Sequence, residues 1–463
     1  MKRKLLITVF MSIAGITLLA AGIAKWELGG MYSTGDLVKY DGKIYRCLRV
    51  HKAIAGTEPA IAGEFWKPVQ DKIIGAYYPS WGIYARNFNV MDIDGSKLTH
   101  LFYAFANISD DGLCVLADSW ADVDKPFPGD SDAPGTLRGN FNQLRKLKEK
   151  YPHLKVLISV GGWTLSKNFP KVAATEESRK RFVKSCIDLF IKGEFEFGEK
   201  YGTHPGIFDG IDVDWEYPVE SGMHPGTPED KRNFTLLIAE FRKQLDELSK
   251  QTGKQYLLTI AGAAKPNYIF KNTEIAEVAK YLDFIVVMTY DFHGAWDPTT
   301  NFHCNLYHDP ADTSPEAEDL NVEAVIRNYI EAGVPSEKLV LGIPFYGRSW
   351  KGVENVNNGL YQKADGAGPG TWEPGVLDYR DIVKNYEPKF KKFFHPKAQS
   401  PWLFDGGVFI TYDDLDSVAL KAKYVLEHDL AGVAVWEISA DIRGVPAPED
   451  SLINTIYEVL KGE

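Results

Sequence analysis

Eight short apolar segments, separated by stretches with helical spacing of their apolar residues, constrain the chain from Ile73 onward. Several are almost continuously apolar, which is typical of parallel strands that are covered on both faces. They lie at 73–78, 99–105, 154–159, 208–214, 256–261, 283–288, 338–343 and 431–436. Eight strands that alternate with helices predict an α/β fold, the (β/α)8 or TIM barrel.

A doubly wound sheet is the alternative α/β arrangement, and it would carry a glycine-rich phosphate-binding turn after an early strand. The sequence SVGGW at 159–163 is rich in glycine but lacks the GxGxxG spacing, which favours the barrel. The clearest helix is expected over 229–250, because Thr227, Pro228 and Asp230 form a typical helix start. A second helix is expected to begin at Thr175.

Two segments depart from the barrel pattern. The interval of about 351–405, between the seventh and eighth strands, is too long for an ordinary loop and has its own aromatic, glycine and proline residues. We expect an inserted α+β subdomain there, on the face where barrel enzymes carry their active sites. Residues 25–70 have short alternating stretches and glycine-containing turns, which predict a small all-β module ahead of a barrel over 71–463.

The first 24 residues have the features of an export signal. A basic start at 2–4 precedes an apolar run from Leu5 to Ala24, and Gly22 and Ala24 have the small side chains that a signal peptidase requires. We therefore expect a cleaved signal peptide at 1–24 and a secreted protein. The alternative is an uncleaved anchor, since about 20 apolar residues can span a bilayer.

Charge and cysteine content argue against two classes of function. The formal net charge is -11, whereas a nucleic-acid partner requires a basic surface. The cysteines are scattered, with neither metal-ligand spacing nor the density of a disulfide framework, and lie at Cys47, Cys114, Cys186 and Cys304. Of the 463 residues, 44% are hydrophobic, which is enough for a large core.

The sequence FDGIDVDWEYP at 208–218 carries four acidic residues along an apolar strand. Alternate residues share a face, so Asp212, Asp214 and Glu216 should point into the barrel, with Glu216 at the open end. Asp209 has the opposite parity and is expected to be a supporting residue. Burial and like charges raise carboxyl pKa values, which suits a general acid near neutral pH. A calcium loop is disfavoured, because its glycine-punctuated pattern is missing.

This stretch resembles the DxxDxDxE signature of family 18 glycoside hydrolases, the chitinases. Six further stretches resemble that family's strand ends in the same order: GAYYPSWGIYARNFNV, LTHLFYAFANI, VLISVGGWTLS, VMTYDFHGAWD, LGIPFYGRSW and AGVAVWEIS. The resemblance covers residues 72–460. It implies a TIM barrel that hydrolyses β-1,4 bonds between N-acetylglucosamine units of chitin and chito-oligosaccharides, with retention of configuration.

The resemblance also implies catalytic roles. Glu216 resembles the general acid that protonates the glycosidic oxygen, while the substrate's own acetamido oxygen attacks the anomeric carbon. Asp214 resembles the carboxylate that orients the acetamido N–H, and Asp212 resembles its proton-sharing partner deeper in the barrel. Tyr290 resembles the hydroxyl that holds the acetamido oxygen.

Other positions match residues that line or support the family's cleft. Trp436 resembles the platform under the sugar at subsite −1, Asp291 a neighbouring sugar contact, and Ser159 a hydroxyl near the buried aspartate. The remaining expected substrate contacts are Tyr78, Phe105, Trp163, Tyr217, Met288, Tyr346 and Arg348. Without the family context, such residues would be read as core packing or as a structural ion pair.

Residues 26–69 resemble the small chitin-binding module that is often attached to bacterial chitinases. The matching positions are Trp26, Tyr32, Gly35, Val38, Tyr40, Gly42, Tyr45, His51, Pro59 and Trp66. The chain departs from the pattern at Thr57, where related modules often carry an exposed tryptophan. The alternatives are that the aromatics form only a core, and that the module docks another protein.

Two other functions are compatible with the same residues. An endo-β-N-acetylglucosaminidase acting on N-glycans resembles the same family, and a non-catalytic lectin results when the acid is lost. The insertion and the module favour a chitinase, and the presence of Glu216 argues against a lectin. The expected partner is chitin or a chito-oligosaccharide. We expect no metal or cofactor, no nucleic acid, no membrane insertion after signal cleavage, and a monomer.

Overall fold

A computed structural model describes residues 23–131, 133–195, 200–220 and 222–462. The expected signal peptide at 1–24 lies outside the described residues except for its last two positions. Across those four ranges, none of the helices combines the length and the apolar character needed to cross a membrane.

The N-terminal module is all β, as the sequence predicts. Its short antiparallel strands are β1 Met31–Tyr32, β2 Leu37–Tyr40, β3 Lys43–Cys47, β4 His51–Lys52 and β5 Trp66–Pro68. Strand β1 pairs with β4, and β2, β3 and β5 form a three-stranded sheet. Inward-facing apolar residues of these strands form its core around the buried Trp66.

Eight parallel strands close into a barrel, so the predicted fold is confirmed. Neighbours pair in the order β6, β7, β9, β10, β11, β12, β13 and β20, and β20 pairs back with β6. In chain order the strands that follow the module are β6 Ile73–Pro79, β7 His100–Ile108, β8 Cys114–Leu116, β9 Lys155–Gly161, β10 Gly210–Asp214, β11 Leu257–Gly262, β12 Phe284–Val287, β13 Leu339–Pro344, β14 Tyr346–Lys351, β15 Gly366–Ala367, β16 Val376–Asp378, β17 Lys391–His395, β18 Ser400–Phe404, β19 Val408–Thr411 and β20 Gly432–Trp436.

Helices cover the outer face of these strands. They are α1 Gly139–Lys150, α2 Phe169–Ala173, α3 Glu176–Cys186, α4 Asp230–Thr252, α5 Ile275–Val278, α6 Val322–Glu331, α7 Tyr379–Asp381, α8 Leu415–Glu427 and α9 Leu452–Lys461. At the start of α4 the Thr227 N–H donates to the Asp230 carboxylate at 2.7 Å, which is one half of the expected capping box. Helix α4 ends at Thr252, and the capping residue Gly253 has a φ of 70°, in the left-handed region.

The inserted subdomain is larger than the sequence predicts. Strands β14 to β19 form a six-stranded antiparallel sheet that runs from Tyr346 to Thr411, rather than from 351 to 405, and α7 lies within it. The first strand was missed because only Phe345 separates β14 from β13, so the sequence shows no turn between them. The insertion has its own apolar cluster around Trp350, Trp402 and Phe409.

The module packs against the end of the barrel where the strands begin. The Arg46 guanidinium donates to the Glu427 carbonyl at the end of α8 and pairs with Asp429, both at 3.0 Å. Ile44 belongs to the barrel's own apolar cluster, and Val69 packs against that cluster. The module is therefore part of the folded body, on the face opposite the strand ends that bear Glu216.

Candidate active site

The acidic row of β10 has the predicted parity. Ile211 and Val213 are fully buried on the helix-facing side, and Trp215 beyond them stacks on Phe169 with ring centroids 5.1 Å apart. The alternate residues point into the barrel, where Asp212 contacts side chains from three other strands. Tertiary packing thus places carboxyl groups in a region where ionisation is costly.

Asp212 lies at the bottom of this row and accepts three hydroxyl hydrogen bonds. The donors are Thr259 at 2.6 Å, Ser159 at 2.8 Å and Tyr77 at 3.0 Å. Burial raises the pKa of Asp212, and the three donors oppose that rise. Ser159 was expected from the sequence, whereas Tyr77 and Thr259 were not. Thr259 lies directly beside Asp212 in the β10–β11 register, a pairing that only the assembled barrel reveals.

Asp214 lies two residues after Asp212 on β10, nearer the open end of the barrel, and one of its carboxyl oxygens accepts no hydrogen bond. Its side chain is buried, yet its Oδ1 has no hydrogen-bond partner. Burial raises the pKa of Asp214 well above its usual range, and the neighbouring charges of Glu216 and Asp212 raise it further. An unpaired buried polar atom is costly unless a ligand group completes it. Asp214 is therefore poised to bind a donor that enters the cleft.

Glu216 follows the end of β10 at the mouth of the barrel and is half-buried. Its backbone N–H donates to Ser166 Oγ at 2.9 Å, which fixes the turn after the strand. Burial raises the pKa of Glu216 to about 7, helped by the Asp291 charge and opposed by a hydrogen bond with Tyr217. A carboxylic acid with this pKa retains its proton near neutral pH and can donate it.

Asp291 is a further carboxylate at this end of the barrel, and Arg348 holds it with two hydrogen bonds. Arg348 Nε lies 2.8 Å from Oδ1, and Nη2 lies 2.8 Å from Oδ2. Burial would raise the pKa of Asp291, but the Arg348 guanidinium holds it well below its usual range. The ionised form of Asp291 is thus favoured, whereas the pKa values of Asp214 and Glu216 are raised.

Tyrosines connect the two groups of carboxyls. Tyr290 and Tyr346 have ring centroids 6.2 Å apart, and Tyr346 contacts both Asp291 and Arg348. Burial and then the Asp214 charge raise the pKa of Tyr290, so its hydroxyl remains a neutral donor. Met288, two residues before Tyr290, is partly exposed beyond the end of β12.

Aromatic rings form the walls of the site. Trp436 stacks on Phe105 with centroids 5.7 Å apart and contacts Tyr77 at 5.5 Å. Trp163 remains 51% exposed, and Tyr217 packs edge-on against Tyr268. The structure adds two exposed tryptophans that the sequence analysis missed, Trp81 beside Trp436 and Trp296 over Arg348. Trp81 follows the end of β6 and Trp296 follows β12, and both lie inside stretches that resemble the family's strand ends, which was the available signal.

Tyr78 does not lie where the sequence predicts. It was expected to line the cleft, but it is fully buried behind β6, and its hydroxyl donates to the Phe88 carbonyl at 3.0 Å. Successive side chains of a strand point to opposite faces, so Tyr77 rather than Tyr78 faces the barrel interior. Asp209 lies at the opposite end of β10, where it accepts from Lys148 and from the Val156 N–H.

The remaining expectations concern the cysteines and the module. All four cysteines are buried free thiols. Across the described residues, no cluster of side chains is suited to hold a metal ion.

Thr57 is buried, and its hydroxyl donates to the Ile54 carbonyl while its own carbonyl accepts from Trp66. A tryptophan at this position would lose the hydroxyl hydrogen bonds that Thr57 makes with the Ile54 backbone.

Comparison with known proteins gives consistent matches. Residues 73–441 match the glycosyl hydrolases family 18, and residues 25–67 match the carbohydrate-binding module family 5/12. Chitinase A1 of Niallia circulans is 42% identical over 80% of this chain, which spans 56% of that relative's length. Endochitinase 1 of Metarhizium robertsii is 35% identical over 83% of this chain and 84% of its own length. The catalytic domain of psychrophilic chitinase B from Arthrobacter TAD20 superposes with a TM-score of 0.78, at 34% identity, covering 85% of this chain and 96% of that domain.

Proposed function

The chain belongs to glycosyl hydrolase family 18, and on that premise we propose that it is a chitinase that cleaves β-1,4 bonds between N-acetylglucosamine units. The observation that carries the proposal is the pairing of Glu216, with a pKa of about 7, and Asp214, with an unpartnered Oδ1. One group can donate a proton to a leaving oxygen. The other can accept a hydrogen bond from an acetamido N–H.

The carboxylates of the site support substrate assistance. A retaining enzyme with a protein nucleophile needs a second, ionised carboxylate that can reach the anomeric carbon. Asp291 is ionised but held by Arg348 through two bonds, and Asp214 is buried with its proton favoured. The acetamido oxygen of the substrate therefore serves as the nucleophile and forms an oxazolinium ion.

Four side chains then have separate roles in the reaction. Glu216 protonates the leaving oxygen and, as a carboxylate, later activates the water that opens the oxazolinium ion. Asp214 accepts a hydrogen bond from the acetamido N–H and balances the developing positive charge. Asp212, which three hydroxyl donors hold in place, accepts the proton that Asp214 gives up when Asp214 becomes the carboxylate that balances the oxazolinium charge. Tyr290 donates its hydroxyl to the acetamido oxygen and so orients the nucleophile.

The aromatic walls complete the substrate contacts. Trp436 forms the floor of subsite −1, backed by Phe105 and Tyr77. The other expected contacts at the cleft are Trp163, Tyr217, Met288, Asp291, Tyr346 and Arg348. Apolar faces with a few convergent polar groups are typical of sites that bind a pyranose ring.

Export and surface binding belong to the same proposal. The basic and apolar start of the sequence supports a signal peptide and secretion, and we propose a monomer for the secreted protein. The match to a carbohydrate-binding module supports attachment of residues 25–67 to insoluble chitin. Such attachment would raise the local concentration of the catalytic barrel at the polymer surface.

The test is a product profile on chitin hexamer and insoluble chitin, run beside a high-mannose glycoprotein. We expect short N-acetylglucosamine oligomers whose first-formed anomer is β, as nuclear magnetic resonance can record. Release of the intact N-glycan, with no cleavage of hexamer, would instead identify an endo-β-N-acetylglucosaminidase. An α-anomer as the first product would contradict retention.

A further inference from the structure

His303 is a fully buried histidine in the segment between β12 and α6. Its backbone is fixed, because its N–H donates to Thr411 Oγ1 at 3.4 Å and its carbonyl accepts from the Phe292 N–H at 3.1 Å. Among the described residues, however, neither nitrogen of its ring has a hydrogen-bond partner. A neutral imidazole has one N–H to donate, and a buried donor without an acceptor is costly. The ring therefore carries an unused donor inside the protein.

An acceptor for this donor lies close by. His303 Nδ1 is 3.8 Å from Asp291 Oδ1, the oxygen that also accepts from Arg348 Nε. A formed hydrogen bond between such atoms measures about 2.7–3.2 Å, so a shift of roughly 1 Å would complete it. The Asp291 side chain is 36% exposed, whereas the His303 side chain is not exposed at all. Contacts of this kind are often long in a protein without substrate and tighten in the complex.

Asp291 has a backbone that requires such support. Its φ of 57° lies in the left-handed region, which a residue other than glycine keeps only where its surroundings hold it. Arg348 provides one of these contacts from β14. In the pairing of β14 with β19, Arg348 lies directly opposite Thr411, whose hydroxyl accepts from the His303 N–H. One pair of strands therefore fixes both the guanidinium and the imidazole against the same carboxylate.

A buried ion pair lies beside the next residue of the segment. Lys421 of α8 pairs with Asp413, which lies two residues beyond the end of β19, and neither side chain is exposed. Cys304 lies next to this pair, and burial followed by the Asp413 charge raises the pKa of its thiol, which therefore stays protonated. Charges that are buried need their partners in fixed positions. The segment is thus held at His303 and again at Cys304.

We propose that His303 is a positioning residue for the reaction: its Nδ1–H donates to Asp291 Oδ1 once substrate occupies the cleft, and so holds Asp291 in place beside Glu216. This inference rests on the proposed function. Burial lowers the pKa of His303, so the imidazole is a neutral donor. Burial raises the pKa of Glu216, and the Asp291 charge adds to that rise, so a displaced Asp291 changes the acid of the reaction. His303 acts only through Asp291, since it is enclosed by protein.

Two replacements of His303 distinguish a donor from a packing residue. His303→Asn places an amide N–H near the position of Nδ1, whereas His303→Leu has no donor but fills more of the buried space. We expect His303→Leu to lower kcat/KM on chitin hexamer about tenfold, and His303→Asn to stay within about threefold of the unmodified protein. A role in packing alone predicts the reverse order, because the smaller asparagine leaves a cavity.

Folding and chemistry are controlled separately. Thermal unfolding shows whether each variant is folded, and His303→Gln replaces His303→Leu if the latter is not, because its amide lies at the position of Nε2. His395→Leu is the matched control. His395 Nε2 lies 3.3 Å from Asp309 Oδ2, on the edge strand β17 and three strands from β14 in the inserted sheet. Its loss removes a similar contact away from the cleft and should keep kcat/KM within about twofold.

A double-mutant cycle with Asp291→Ala tests whether His303 acts through Asp291. In that background His303→Leu should change kcat/KM by less than about twofold, because no carboxylate is left to receive the N–H. The same tenfold loss in both backgrounds, an unchanged kcat/KM for His303→Leu, or a lower value for His303→Asn than for His303→Leu would overturn the positioning role. Absence of hexamer hydrolysis by the unmodified protein would instead count against the proposed function.

Discussion

Burial determines the protonation of the carboxyl groups on β10. Asp212 and Asp214 are surrounded by the barrel interior, and Glu216 lies at its mouth, so each has a raised pKa. Asp291 lies at the same end of the barrel but has the opposite shift of its pKa, because the Arg348 guanidinium favours its ionised form. One site thus contains proton-holding acids and a permanent anion, which is the separation of roles that acid catalysis near neutral pH requires.

Glu216→Gln should abolish hydrolysis and preserve sugar binding. The amide has the shape of the acid but cannot donate a proton to the leaving oxygen, and general acid catalysis contributes roughly 10²–10⁴-fold. The check is kcat on chitin hexamer beside the affinity for the same oligomer. A correctly folded variant with near-normal turnover would remove Glu216 from this role.

The pKa of Glu216 also predicts how stability changes with pH. Its folded pKa of about 7 exceeds the ordinary value of 4.5, so the folded state binds the proton more tightly than the unfolded state. Protonated Glu216 makes its full contribution to the free energy of unfolding below pH 4.5, and this contribution is lost as pH rises through about 7. Thermal unfolding should show a higher Tm for Glu216→Gln than for the unmodified protein at pH 8, and a smaller difference at pH 4.5.

Tyr77 and Tyr78 allow a matched test of the Asp212 environment. Tyr77→Phe removes one of three donors to a buried carboxyl group, which should raise the Asp212 pKa further and lower kcat by about tenfold. Tyr78→Phe removes a hydroxyl that donates to the Phe88 carbonyl outside the cleft. We expect it to keep kcat within about twofold, since no reacting group is touched. Equal kcat values for the two variants would contradict the assignment of Tyr77.

At the scale of elements, the module and the insertion occupy opposite ends of the barrel. The insertion follows β13 and lies beside the ends of the strands that carry the site, whereas the module contacts the end of α8 and places Ile44 in the barrel core. The insertion can therefore shape the cleft directly. The module cannot contact a sugar at Glu216, so its contributions would be to the proposed binding of insoluble chitin and to stability.

Deletion of residues 25–70 should separate these two contributions. Activity on soluble oligomers should remain largely intact, activity on insoluble chitin should fall, and Tm should fall because the surface under Ile44 and Val69 becomes exposed. Pull-down with chitin beads and a thermal melt are the measurements. Arg46→Ala, which weakens docking but keeps the module, is the control and should retain bead binding. Equal pull-down of full-length and truncated protein would show that the module does not bind chitin.

At the scale of the whole molecule, the proposed mechanism depends on a group that the substrate supplies. Polymers that lack the acetyl group at subsite −1 should not be cut, however well they bind, because the nucleophile is then missing. A stable thiazoline analogue of the oxazolinium ion should inhibit tightly, and Asp214→Asn should weaken that inhibition. Inhibition constants and mass spectrometry of trapped intermediates are the measurements. A covalent glycosyl adduct on Asp214 or Glu216 would overturn the mechanism.

The barrel and the acidic row could be predicted because their signals are local. Continuous apolar runs identify buried parallel strands, and the alternation along 208–218 decides which carboxyl groups face inward. The pair Tyr77 and Tyr78 shows the limit of that rule. Both are aromatic and adjacent, so the pattern of β6 alone does not show which of them faces the interior.

The sequence by itself determined the eight strands, their order, the acidic row and the two additional segments, because each depends on residues that are neighbours in the chain. Only the tertiary structure decided that Tyr77 and Thr259 bind Asp212, that the module lies at the base of the barrel, and that Arg348 binds Asp291. These partners are far apart in the chain. Their contacts arise from barrel closure and strand register, which no local pattern encodes.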